Sequence, residues 1–214
     1  MCLFYVDATP GSSIDDPERP SIPDEGDKEE PKPDEDENVT GTLAFEDIWP
    51  SGGDYDMNDV IVEYERKVYF DKKNIVTKIV DEFTPVHDGA TYVNAFAYQI
   101  DAAQIGDKIT LPEGAILEKE TSSIIVMSNA KQNIGNKYVV TREFNGSFLK
   151  NQLLSYNPYI IVKYSQGEQN RTEVHLPKHK ATAYANQSLI GSNDDAYYIA
   201  VSYTHLTLPT TERV

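Results

Sequence analysis

A chain of 214 residues has room for one domain with appendages, and its formal net charge of −16 is unevenly spread. Residues 1–40 carry thirteen acids against Arg19, Lys28 and Lys32, a net −10, which leaves an ordinary, mildly acidic surface for the rest. The lack of basic clusters argues against nucleic acid as a partner; the single Cys2 rules out a disulfide framework or a thiolate zinc site; and no run of about 18 apolar residues supplies a transmembrane segment in this fragment.

In chain order, Met1 to Val6 is too short for a signal peptide and lacks its basic start and cleavage site. Residues 1–6 read as the end of a preceding segment, with an export signal expected upstream. Residues 7–41 read as an acidic, Pro-rich linker: Pro10, Pro17, Pro20, Pro23, Pro31 and Pro33 alternate with Asp and Glu, and almost nothing apolar is present to offset the entropy of ordering. Self-repulsion and polyproline preference keep such a segment extended. The domain is expected at 42–200.

The densest stretch is Phe45 to Val62, which holds the only Trp and four oxygen-bearing side chains within six positions: Asp54, Asp56, Asn58 and Asp59. Asp-x-Asp-x-Asn on a turning loop aims side-chain oxygens at one point, which is how hard cations such as calcium are caged. An EF-hand is excluded. Asp59 stands where its turn glycine belongs, and Glu65 lies in a run of period two that reads as a strand, roughly 20 Å from Asp59 at about 3.3 Å per residue. The expectation is a loop that feeds a strand, with carboxylates at the strand's mouth. Asp54, Asp56 and Asn58 are the expected calcium ligands with Asp59 as a fourth; Glu46 or Asp47 reaches in from the preceding turn, and Asp194 or Asp195 arrives from a distant loop to complete six to eight oxygens. The ordinary alternative is a hydrogen-bonded turn, since Asp and Asn cap turns through nearby amides. The accumulation of like charge in one loop, which repels unless a cation or strong hydrogen bonds offset it, favours the cation.

The remainder is a series of β signals. Val60–Phe70 reads as a strand, 71–74 as a turn and Ile75–Phe83 as its hairpin partner. Further strands are expected over 92–100, 122–127, 137–144, 159–164 and 172–176, with loops punctuated by Gly106, Pro112 and Gly114. Only 148–154 has a helical pattern, of one or two turns. Short strands between turn signals predict an all-β fold, a β-sandwich or jelly-roll-like barrel, and no fixed period suggests a solenoid or propeller.

Enzyme signatures are scarce. His175 and His179 are four apart, but Pro177 between them disallows the helix that would pair them on zinc. A glycosidase needs two carboxylates across a cleft, and the clustered acids share one loop. The fourteen Tyr offer a competing binding reading, an exposed row that stacks on sugar rings, although Tyr is also favoured in strands and half-buried edges.

Phe45-Glu46-Asp47-Ile48-Trp49-Pro50, followed by Gly53-Asp54-Tyr55-Asp56-Met57-Asn58-Asp59-Val60-Ile61-Val62, resembles the opening of the LruC-type domain, also catalogued as a domain of unknown function, of surface and secreted proteins of Bacteroidetes. Softer matches lie at Asn94–Gln99, Glu173–Pro177 and Gly191–Asp195, so that the resemblance covers about Thr42 to Ile199. It implies a non-enzymatic extracellular β-domain. Residues 201–214 abandon the pattern and resemble a translated sequencing-adapter tail, a non-native scar excluded from fold reasoning; the domain is then truncated at its C-terminus. The expectation is a cell-surface, periplasmic-exported or secreted module, calcium-stabilised and serving adhesion or envelope structure, with an envelope protein or surface glycan as partner. The alternative is a carbohydrate-binding accessory module of a secreted glycan-processing protein.

Overall fold

The architecture was analysed in a computed structural model, which describes residues 36–50, 54, 56–146, 148–176 and 178–192. Ten strands follow one another: β1 Asp36–Phe45, β2 Val60–Phe70, β3 Val76–His87, β4 Ala95–Gln99, β5 Lys108–Thr110, β6 Ile116–Glu118, β7 Ser123–Met127, β8 Tyr138–Glu143, β9 Asn157–Val162 and β10 Thr172–His175. They form two five-stranded sheets of order β1-β2-β3-β8-β5 and β10-β9-β4-β7-β6, and all strand pairings are antiparallel. The two sheets pack face to face as a β-sandwich. Among the described residues there is no α-helix; the helical pattern near Phe148 is realised as a single 3-10 turn, Lys150–Gln152.

Period-two alternation explains the packing. Val60 and Val62 on β2, Phe83 on β3 and Val140 on β8 face Phe96 and Tyr98 on β4, Ile124 and Val126 on β7 and Ile160 on β9, all buried in one cluster. A second cluster, Val68, Phe70, Val76, Ile79 and Phe144, fills the other end of the first sheet's inner face. Between the two lies a polar layer. Asp81 pairs with Arg142 at 3.2 Å and with Arg66 at 3.0 Å, and it accepts a hydrogen bond from the Tyr156 hydroxyl at 2.8 Å. Register makes this arrangement: Arg66 stands directly opposite Asp81 on the neighbouring strand, while Arg142 stands opposite Ile79, one diagonal away.

The second sheet also buries its outer face, where Ala95, Ala97, Ile125, Tyr159 and Ile161 cluster. A charged clasp holds this side. Arg171 grips both oxygens of Glu118 at 2.7 and 2.9 Å and one oxygen of Glu173 at 2.7 Å; the Thr182 amide and hydroxyl donate to Glu173. His175 is part of the clasp, within hydrogen-bond distance of Asn157 and Glu173.

Two expectations are corrected. The expected linker, 7–41, overlaps β1, whose residues Asp36–Gly41 are paired rung by rung with Tyr64–Tyr69. Asp, Asn and Gly, which are depleted in strands, hid them; as an edge strand, exposed over Glu37–Thr40, they are recruited by β2's open edge, helped by the Asn38 amide on Glu65 (2.8 Å). The expected hairpin return ends at Phe83, whereas β3 continues to His87 through Pro85. Pro85 has no amide to donate, which is tolerated because the β3–β8 ladder has already stopped at Phe83 and a register shift lies at Ile61/Val62.

Candidate metal centre

The loop from Glu46 to Asp59 closes the β1–β2 hairpin. Phe45 and Val60 are partners in the ladder, so Glu46 and Asp59 leave from the same rung and the carboxylates gather at the strand's mouth. Met57 turns the chain with a left-handed backbone (φ 57°), which brings the residues on either side of it together. The Asn58 side-chain amide donates to Asp56, and the Met57 amide donates to Glu46 Oε2 at 3.2 Å.

Glu46, Asp54 and Asp56 each present a carboxylate oxygen, and these oxygens all lie within 4.8 Å of one another. Asp54 and Asp56 are exposed and Glu46 is 2 % exposed, so the cluster opens to solvent on one side and rests on the sandwich on the other. Burial pushes the Glu46 carboxyl upward; the charges of Asp59, Asp54 and Asp56 push the same way, and the Met57 amide opposes them in part. Three carboxylates at this separation, with one buried, form the hard all-oxygen donor set that calcium takes, so the residues fit the ion.

The other expected ligands go elsewhere. Asp59 Oδ2 accepts from the Asp47 amide at 2.9 Å, and Asp47 Oδ2 accepts from the Asn94 side-chain amide at 2.9 Å. Asn58 braces Asp56 and packs against the next crossover: its carbonyl accepts from the Gly89 amide at 3.1 Å, and a Cβ on Gly89 would lie 2.5 Å from Asn58 Oδ1. Asp194 and Asp195 lie outside the described residues.

Sequence reasoning missed Asp88 and Asn94. Both sit on the connection from β3 to β4, which leaves the first sheet beside Ile61 and enters the second at Ala95. It therefore passes the hairpin's mouth. Asp-Gly in a loop is common turn chemistry, and Asn94 stands in the sequence only as the start of the Asn94–Gln99 match, with nothing local to link it to the acidic loop.

His175, one of the two histidines weighed for zinc, lies on β10 and takes part in the clasp. All nine described tyrosines are buried or half-buried, which leaves no exposed aromatic row among them.

No curated protein and no solved structure matches the chain significantly. The DUF4842 family, described as a domain of unknown function, matches residues 74–205. That match starts after the acidic loop and runs past Ala200, where the domain was expected to end. It covers more than half of a chain whose β-sandwich is assembled largely from those residues: the chain belongs to the DUF4842 family.

Proposed function

We propose that this is a non-enzymatic surface or secreted β-module whose β1–β2 loop binds calcium at Glu46, Asp54 and Asp56, with adhesion or envelope structure as its role. One observation carries the metal reading: the three carboxylate oxygens within 4.8 Å of one another, one of them on a buried side chain. Like charges so placed repel until a cation offsets them, and an ion that binds only the folded chain stabilises it by about 2.7 kcal/mol at 100 times its dissociation constant. The resemblance of the Phe45–Val62 motif to the LruC-type domain supports the surface location.

Calcium is expected to give a binding isotherm in calorimetry and to raise the unfolding midpoint, chelator to reverse the rise, and Asp56→Ala to shrink it. A flat isotherm with no chelator effect would reject the metal.

The carbohydrate-binding alternative has one observation of its own, a cleft of about 360 Å3 over three neighbouring strands, lined by Thr40, Thr42, Glu63, Tyr64, Glu65, Glu82 and Thr84 with Gly41. Hydroxyls and carboxylates side by side suit sugar hydroxyls. Hits on a glycan array that weaken with Glu82→Ala favour this reading; a silent array, with capture of a defined envelope component, favours the first.

A further inference from the structure

We propose that the outer edge of β1 is a docking strand: by β-strand addition it takes up an extended segment of a partner protein that carries lysine or arginine at alternate positions. The edge is made of residues outside the acidic loop, so strand docking and calcium binding are tested separately.

Four strands end the two sheets. β5 and β6 are three residues long and β10 four, and shortness is one way in which proteins keep a sheet edge from pairing. β1 is the exception, with ten residues in unbroken register on β2. A strand paired on one side only turns alternate N–H and C=O groups outward. Among the described residues, no backbone group outside β2 bonds to β1. Other guards are missing as well: residues 38–45 hold no proline, no charge and no bulge, and Asn38, Val39, Thr40 and Thr42 are exposed.

Charge selects the occupant. An added strand lies about 4.8 Å outside β1, and its side chains on the outer face of the sheet stand beside Thr40 and Thr42. Register sets Thr42, Glu63 and Thr84 in one row across β1, β2 and β3, and Thr40, Glu65 and Glu82 in the next. Both rows line the cleft of about 360 Å3. Glu65 is held by Asn38 and Lys67, and Glu82 by Lys137; Glu63 is exposed and makes no ion pair among the described residues. It stands two strand spacings, about 10 Å, from the added strand, a gap that a lysine and a glutamate side chain span together. Residues 7–35 of this chain are a poor occupant, since their prolines lack the amide and their acids repel Glu63. A second copy is disfavoured on the same ground, because a chain of net charge −16 would set like charge against like along the edge.

Amide hydrogen exchange on the full chain reads the docking. The probe is a capped peptide of alternating lysine and valine, long enough to span residues 38–45. One control is the same peptide N-methylated at every residue, which keeps the charge and removes every donor; the other replaces lysine by glutamate. The lysine–valine peptide is expected to slow exchange of the amides within residues 38–44, and neither control to do so. Glu63→Lys should weaken binding about fivefold, the scale of reversing one exposed charge, without moving the unfolding midpoint. Exchange along β1 that is unslowed at about 1 mM peptide, the weak end of recognition, overturns the docking strand. So does equal affinity for the N-methylated peptide, which would mean attraction to acid alone. An affinity unchanged by Glu63→Lys overturns the basic occupant, as does a peptide-free dimer in sedimentation whose β1 amides exchange slowly, since a second copy then holds the edge.

Discussion

Among single residues, Glu173 shows how a buried charge is kept. Burial alone would push its carboxyl upward, but the hydrogen bond and charge of His175 and the Thr182 amide and hydroxyl outweigh burial and hold it below the ordinary 4.5. A carboxyl depressed in the folded state stabilises the fold at pH values above its unfolded pKa, and that contribution is lost as pH falls through the folded value. At neutral pH, Glu173→Gln is expected to cost about 3–5 kcal/mol, the usual result of removing one partner from a buried ion pair. The gap between wild type and variant should narrow once pH drops below about 4.5, because the wild type then loses the same interaction. Urea midpoints of both proteins from pH 7 to pH 3 check this; a gap independent of pH would mean that packing, not charge, sets the cost.

At the scale of elements, β1 is the instructive strand. Its outer half, Asp36–Thr40, pairs with Glu65–Tyr69 and is exposed over Glu37–Thr40. Glu37 also reaches Lys150 at 2.8 Å, a partly exposed pair that adds little by itself. A truncation to residue 35 is expected to leave the unfolding midpoint unchanged, whereas truncation to residue 40 removes these rungs. At about 1 kcal/mol for each of the two or three net backbone hydrogen bonds lost, and about 2–4 °C per kcal/mol in a domain of this size, the midpoint should fall by roughly 4–12 °C. Differential scanning calorimetry on the two truncations measures the difference. Equal midpoints would show that the outer half of β1 contributes nothing.

Across the whole molecule, the Asp81 layer divides the apolar interior into two clusters. Arg142 is 0 % exposed and Asp81 1 %, so removing Asp81 leaves Arg142 as an uncompensated buried charge. Asp81→Ala is expected to cost about 3–5 kcal/mol, while joint replacement, Asp81→Leu with Arg142→Met, should recover much of it because well-packed apolar residues often equal a buried ion pair. Chemical denaturation of both variants checks the sign. If the double variant is as unstable as the single, the layer's hydrogen bonds to Tyr156 and Gln104 matter more than its charge balance.

Alternation of small apolar and aromatic residues, read locally, was enough to identify most of the longer strands and an all-β sandwich. Val60–Phe70 is found at the expected bounds, because period two is a property of the chain itself and needs no partner to be legible. The acidic loop was legible in the same way: dense carboxylates between Phe45 and Val60 marked a special turn, and the hairpin ladder does bring Glu46 to Asp54 and Asp56. Three things depended on tertiary structure. Asp36–Thr40 became a strand only because β2 had an edge to fill. Asp47 and Asp59 turned away from the loop's own cluster because Asn94 waits on the crossover to the second sheet. Asp88 acquired its raised carboxyl from burial, since a carboxylate in an Asp-Gly turn is ordinary in water and costly under a sandwich. Local pattern is written along the chain, whereas burial and the meeting of distant segments exist only once the sheets have paired.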